Sequence, residues 1–384
     1  MELILIILAL VTLCYFLFTA IEFKIGFKQI KNLSSQPFTK ILPLPRISII
    51  FSALNEEAAI EETINTLFKL DYPDYEIIAV NDRSTDQTPH ILDSLKQRYP
   101  HLQVHHISEL PQGWFGKNHA LHVAAGTATG EWLLFTDADV IMKPQTLSRS
   151  MSYALEKKLD HLTLFEHHSR HDFWLRVSLL GSYIAYTLAM RPWRVRFAWS
   201  KRSLGHGAFN LIRKEAYEAC NGHAAIALQC LDDMRLGALL KKNGFRQDTV
   251  NGQDFVEREW YGSLAEMVAG MRKNSFAYFD YRLLPALRDS LYAVIFTLWP
   301  LLAVLVCRGL LQYLNFAIVM LSIYLGKCVA KEFRLPQWFA VFYPLALGIT
   351  IYTLWGSIIS VYRHKGVIWR GTHYSLQMLK YPIS

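Results

Sequence analysis

Gly130-Glu131-Trp132-Leu133-Leu134-Phe135-Thr136-Asp137-Ala138-Asp139 is an apolar run that ends in two carboxylates one residue apart. Four consecutive apolar residues bounded by turn-forming ones read as a buried strand. Upstream the pattern recurs. Arg46–Phe51 reads as a strand ending at Ser52-Ala53-Leu54-Asn55-Glu56-Glu57, and Tyr75–Val80 as a second, ending at Asn81-Asp82. Between them Ala58–Leu70 carries Ile60, Ile64, Leu67 and Phe68 on one helical face, and Asp71-Tyr72-Pro73 stops it. Thr88–Arg98 reads as the next helix, His101–Ile107 as a third strand and Lys117–Ala125 as a further helix. The run from Trp132 is then the fourth strand. Strands alternating with helices specify an α/β domain with a mainly parallel sheet covered on both faces.

Ligands of such sheets bind beyond the carboxyl ends of the strands. Asn55, Glu57, Asp82, Asp137 and Asp139 all fall at those ends. Paired carboxylates such as Asp137 and Asp139 suit a hard divalent cation, Mg2+ or Mn2+, which keeps positions open for a diphosphate. Asp139 is the candidate ligand with Asp137 assisting, and Lys117 is a candidate second cation near phosphate, or else a surface lysine. Asp82 and Glu57 are candidates for hydrogen bonds to a nucleotide's base and ribose. A further acidic pair, Asp232-Asp233, lies downstream. Together these stations suggest metal-assisted group transfer from a nucleotide diphosphate.

The chain is also apolar in blocks. Leu3–Ile21, Ser290–Cys307, Gly309–Gly326 and Leu335–Tyr362 contain no charged residue. The first is long enough to span a bilayer. It follows an acidic Met1-Glu2 and precedes Lys24, Lys28, Lys31 and Lys40, so it reads as an uncleaved anchor rather than a signal peptide, with its C-terminal side in the cytosol. The implied organisation is an anchor over 1–23, a linker over 24–45 with Pro37, Pro43 and Pro45, a cytosolic domain over 46–282, membrane helices over 283–362 and a basic tail over 363–384. Val177–Met190, followed by Arg191, Arg194, Arg196, Lys201 and Arg202, reads as a helix and basic loop (177–202) lying on an anionic leaflet, with a core helix as the alternative. The last apolar block contains Pro336, Pro344, Gly348 and Gly356 and reads as a segment that dips into the bilayer and returns, a single span being the alternative.

The net charge of +8 is accounted for by the membrane, since the excess positives flank the apolar runs; nucleic acid is not implied. The five cysteines form no Cys-x-x-Cys pair, which argues against zinc and against a disulfide framework. His167, His168 and His171 beside Glu166 form a cluster that reads as packed or surface histidines before it reads as a metal site, and His119 and His122 read the same way.

Several of these stretches resemble family 2 glycosyltransferases of the GT-A fold. Ser52–Glu57 with Asp71–Asp86 is similar to the family's opening, Gly130–Asp139 to its metal motif, and Leu231-Asp232-Asp233-Met234-Arg235-Leu236-Gly237 to its acidic acceptor-side motif. Gly113–Leu121 and Trp369–Tyr374 resemble a bacterial membrane-bound branch that includes hopene-associated and carotenoid-type enzymes, with ceramide glucosyltransferases as distant relatives. The resemblance implies an inverting, metal-dependent hexosyltransferase that uses a nucleotide-sugar, UDP-linked by analogy. It implies a lipid or lipid-linked acceptor and a multi-pass protein of the bacterial plasma membrane with a cytoplasmic catalytic domain. It assigns the base to Asp233 beside Asp232. Where relatives carry a glutamine–arginine–tryptophan signature this chain has Gly270-Met271-Arg272-Lys273-Asn274, which points to non-processive transfer. The reading from another class is a catalytically inactive membrane scaffold of the same fold.

Overall fold

The computed structural model describes residues 2–36, 43–169 and 172–380. Pro37, Lys40, His171 and the last residues of the tail, 381–384, lie outside the described residues. The chain divides into two compact units. An α/β unit comprises Ile30–Ser169 and Pro192–Trp260, and a helical unit comprises Met1–Gln29, Arg170–Arg191 and Tyr261–Tyr381.

With elements numbered in chain order, α1 (Glu2–Gln29) belongs to the helical unit. The α/β unit then runs β1 (Ile47–Ala53), α2 (Ile60–Leu67), β2 (Tyr75–Asp82), α3 (Thr88–Arg98), β3 (Leu102–Ile107), α4 (Gly116–Thr127) and β4 (Trp132–Phe135). It continues with β5 (Val140–Met142), α5 (Thr146–Glu156), β6 (His161–Phe165) and β7 (His167–His168). After α6 (Phe173–Met190), a helix of the other unit, it resumes with β8 (Asn210–Arg213), α7 (Lys214–Ala219), α8 (Asp232–Lys242), β9 (Gln247–Asn251) and β10 (Val256–Arg258).

The main sheet has seven strands in the order β3-β2-β1-β4-β8-β6-β9. All its pairings are parallel except the two made by β8, which runs antiparallel to both β4 and β6. Central strands are buried on both faces; β4 accordingly reads as a continuous apolar run, and β1 as the run Ile49-Ile50-Phe51 flanked by Ser48 and Ser52. One core layer packs Ile49, Phe51, Ile64, Ile77 and Leu134 under α2, α3 and α5. The other packs Ile50, Ile78, Leu121, Leu133, Ile212 and Leu236 under α4 and α8. A second, three-stranded sheet has the order β5-β10-β7. There β10 runs antiparallel to β5 and parallel to β7, with Arg258 opposite Val140 and His168.

The helical unit contains α1, α6, α9 (Leu264–Ala277), α10 (Leu283–Ala293), α11 (Trp299–Val306), α12 (Leu310–Glu332) and α13 (Tyr343–Arg363), then the hairpin β11–β12 (Gly366–Trp369, Thr372–Ser375) and α14 (Leu376–Lys380). Among the described residues, four helical segments are long and apolar enough to cross a membrane: Glu2–Gln29, Leu283–Val306, Leu310–Glu332 and Gln337–Arg363. The α1 and α12 helices pack through Ala9, Leu311 and Ile318. A π-helical turn, Val294–Leu298, joins α10 to α11 just before Pro300, whose missing N–H cannot continue the α-helical ladder.

Three expectations are corrected. The domain boundary at 282 moves to Trp260, because α9 packs on α13 and on β11: Phe276 N–H donates to Ser357 Oγ at 3.2 Å, and the Lys273 ammonium sits 3.2 Å from the centre of the Trp369 ring. The segment 177–202 is not one surface element. Its helix is α6, which packs within the helical unit so closely that a Cβ on Gly181 would fall 2.3 Å from the Ala346 carbonyl. Buried carboxylates recruit two of its supposed head-group cations: Arg191 pairs with Glu22, and Arg196 with Asp248 at 3.1 Å. Finally, α13 is one unbroken helix with no returning leg. Pro344 sits in its first turn, where the N–H has no acceptor in any case, and Gly348 and Gly356 are carried within the helix.

Candidate active site

The strand tips position the acidic stations as the alternation requires. At the end of β1, Asn55 adopts a left-handed φ of 57°, which turns its side chain toward the loop after β2. There the Asn55 Oδ1 accepts from Thr85 N–H at 2.8 Å, and Asn55 N–H donates to Ser84 Oγ at 3.0 Å. Glu57 does the same one step on: its Oε2 accepts from Gln87 N–H at 2.9 Å. Asn55 and Glu57 therefore lace two loops together. Asp82 is buried and receives the Arg83 guanidinium on both oxygens, at 2.8 and 3.1 Å. Gly116 faces it so closely that a Cβ there would fall 2.3 Å from Asp82 Oδ2, which explains a glycine at the start of α4.

Asp137 and Asp139 follow β4. Lys117, in the first turn of α4, donates to Asp137 Oδ1 at 2.8 Å and to Asp232 Oδ2 at 3.0 Å. It is thus a bridge between the two acidic pairs rather than a surface lysine, and these carboxylates outweigh burial and raise its pKa. The next residue, Asn118, is buried. Its amide donates to the carbonyls of Ile226, Ala227 and Gln229 at 2.8, 3.2 and 3.0 Å, which pins the segment leading into Asp232 and Asp233. One helical turn therefore ties both pairs to a single frame.

Asp232 and Asp233 open α8, where the N-terminal end of the helix favours negative charge. The Asp233 carboxylate accepts from the Met234 N–H at 2.7 Å. Burial, with the neighbouring Asp232 charge adding to it, pushes Asp233 up to about 6 against the pull of Lys117. A small cavity beside it is lined by Lys117, Phe135, Thr136, Gly207, His223 and Asp233. His223 is buried and, through burial and the Lys117 charge, pushed down to about 3, so it stays neutral there. The Gly205-His206-Gly207 segment is held by close approach. A Cβ on Gly205 would fall 1.9 Å from the Asp233 carbonyl, and one on Gly207 2.5 Å from Asp137 Oδ2.

Arg258, at the end of β10, carries no signal in the sequence. Its Nη1 donates to Asp137 Oδ2 at 2.8 Å and its Nε to Asp139 Oδ2 at 3.0 Å. The other oxygen, Asp139 Oδ1, is buried with no hydrogen-bond partner among the described residues. Burial raises the Asp139 carboxyl, Arg258 opposing and Asp137 adding. Beside this group Glu166 accepts from His206 Nδ1 at 3.0 Å and from His168 Nε2 at 3.3 Å. The two imidazoles hold Glu166 well below the usual carboxylate range in spite of its burial. His168 stacks on Trp260, and His122 on Trp114, so these histidines are packed. No cluster of three or more His, Cys, Asp or Glu side chains able to hold a metal exists among the described residues. A Mg2+ or Mn2+ ion at Asp137 and Asp139 needs only one or two carboxylates beside phosphate oxygens and water. The pair, with its orphaned buried Asp139 oxygen, fits that need.

Residues 48–219 match the family model for glycosyl transferase family 2, and this part of the chain is a family 2 glycosyltransferase domain. The chain is 30% identical over 185 residues to a beta-monoglucosyldiacylglycerol synthase of Synechocystis, covering 47% of this chain and 37% of that one. It is 28% identical over 183 residues to the synthase of the same name from Nostoc, covering 47% of this chain and 38% of that one. It therefore spans less than two fifths of the length of these curated relatives. Among solved structures, a mannosyltransferase from Pyrobaculum calidifontis in complex with GDP-mannose and Mn2+ superimposes with a TM-score of 0.53 at 18% identity, covering 91% of this chain and 99% of that one. The fold is thus GT-A-like.

Proposed function

We propose that this protein transfers a hexose from a nucleotide-diphosphate donor to a hydroxyl of a membrane lipid or lipid-linked acceptor, one sugar per encounter and with inversion. The observation that carries the reading is the Lys117 bridge. One ammonium touches Asp137 of the strand-tip pair and Asp232 of the helix-start pair, so donor-side and acceptor-side acids share one small site.

In this reading Asp139 and Asp137 hold a Mg2+ or Mn2+ ion, which supplies charge neutralisation for the departing diphosphate. Lys117 adds a fixed cation to the same end. Asn55, Glu57 and Asp82, at the tips of β1 and β2, border the place of the nucleoside. Asp233 takes the proton from the acceptor hydroxyl while its oxygen forms the new bond to the anomeric carbon. The bond from that carbon to the diphosphate breaks, and nucleoside diphosphate leaves. A base near pH 6 is ionised at neutral pH and still basic enough to assist. Asp232, paired to Lys117, keeps the position of that turn. The helices among the described residues that could cross a membrane support a multi-pass membrane protein, placed in this reading in the plasma membrane with its catalytic domain in the cytoplasm, and the names of the cyanobacterial relatives support a glycerolipid acceptor such as diacylglycerol.

The test is release of nucleoside diphosphate by the full chain in proteoliposomes, with UDP-glucose among other donors, with and without diacylglycerol, and with chelator. Acceptor-dependent release that EDTA abolishes and Mn2+ or Mg2+ restores is the expected result. Tight donor binding with no release under any acceptor would point to the scaffold reading.

A further inference from the structure

Arg258 stands where sequence reasoning expects only a cation from solution. Its guanidinium spans one oxygen of Asp137 and one of Asp139, at 2.8 and 3.0 Å. Its backbone is held on both sides by strand pairing, to Val140 and to His168, so the side chain alone is left to move. Two carboxylates converging on one point repel unless a positive charge lies between them. Arg258 supplies a charge of that kind. A fork of this kind matches carboxylate geometry well and does not lose its proton.

We propose that Arg258 is a built-in counter-cation that competes with the divalent ion for Asp137 and Asp139, so that metal is taken up with the nucleotide and not before it. This rests on the reading above, in which the pair binds metal. The diphosphate brings the negative charge that tips the exchange. Once displaced, the guanidinium has a third carboxylate nearby, Glu166, whose charge already acts on it. Arg258 is then a positioning residue that ties Asp137 to Asp139 and couples cation entry to donor entry.

The experiment measures Mn2+ binding to the full-length chain in detergent by the electron paramagnetic resonance of free Mn2+, with and without UDP. The wild type is expected to bind Mn2+ at least about tenfold more tightly with UDP than without it. Arg258→Gln is expected to tighten nucleotide-free Mn2+ binding by at least about tenfold, with Arg258→Lys, which keeps the charge but loses the fork, in between. Wild-type binding that UDP does not improve, or Arg258→Gln binding no tighter than wild type, would overturn the proposal. Should Arg258→Gln fail to fold, the wild-type comparison and Arg258→Lys decide. Absence of Mn2+ binding in every protein, with UDP as well as without, would remove the metal reading itself, which is a separate result.

Discussion

The two acidic pairs are built from the same residue type and share Lys117, yet they are prepared for opposite tasks. Asp137 is clamped between Lys117 and Arg258, and Asp139 is tied to Arg258, so both acids of the strand-tip pair meet fixed cations, although burial still raises the Asp139 carboxyl. In the helix-start pair Lys117 reaches Asp232, while the Asp233 carboxylate accepts from the Met234 backbone N–H. Burial then raises Asp233 toward the range of a useful base. The placement of one lysine and one arginine head, rather than the acids themselves, separates a pair whose two carboxylates both meet side-chain cations from a pair in which Asp233 meets a backbone N–H.

The sharpest way to break this contrast is Asp233→Asn. Loss of a general base predicts a fall in turnover of about 10²–10⁴-fold with donor binding retained. Stability should move the other way. A carboxyl whose folded pKa is raised is penalised when ionised, so the native state loses stability as pH rises from the unfolded value through about 6. The neutral asparagine avoids that loss, and the melting temperature at pH 7.5 should rise while activity collapses. A variant that loses donor binding instead would place Asp233 on the donor side.

Asp139→Asn should cost about 10²–10³-fold, with weakened binding of UDP in the presence of Mn2+ measured by calorimetry. Unlike Asp233→Asn it should not gain stability in the same way, because Arg258 loses one of its two partners. Unchanged UDP affinity in Mn2+ would show that the strand-tip pair does not hold the metal.

Lys117→Met should cost about 10–10²-fold and, more diagnostically, shift the pH profile. In wild type the acid limb of kcat/KM should fall with unit slope below about 6, as Asp233 gains a proton. Lys117 lowers that pKa, so its removal should move the limb to higher pH. A limb that stays in place would separate Lys117 electrically from Asp233.

The smallest effect is expected from Asn118→Ala. It leaves the carbonyls of Ile226, Ala227 and Gln229 without their shared donor, at a cost of about 1–3 kcal/mol in stability. Turnover should fall less than about tenfold, with the pH limb unmoved, since no charge changes. A large loss of turnover at full stability would make Asn118 a substrate contact.

Much of the α/β unit was legible in the chain because its signals are local. Ile49-Ile50-Phe51, Ile77-Ile78-Ala79-Val80 and Leu133-Leu134-Phe135 are runs buried on both faces, and each ends in the polar residues that a strand tip presents. Asp137, Asp139, Asp232 and Asp233 stand out for the same reason: acidic pairs at the ends of apolar runs are visible without knowing what lies opposite. The boundary at Trp260 was not legible, because α9 has no strong apolar face of its own and is claimed by α13 through Ser357 and by β11 through Trp369. The unbroken course of α13 was misread, since Pro344 and Gly356 look like breakers until the helix start places the proline in its first turn.

By itself the sequence determined the alternation of strands and helices, the apolar blocks and the identity of the acids, since all of these depend on residues near one another in the chain. Only the tertiary structure decided which cation meets which acid. Arg258 reaches Asp137 and Asp139 because β10 pairs with β5, and Glu166 meets His206 across a separate stretch of chain. Those encounters join residues far apart in sequence, where neither periodicity nor spacing carries information, and the charge they bring settles what each carboxylate can do.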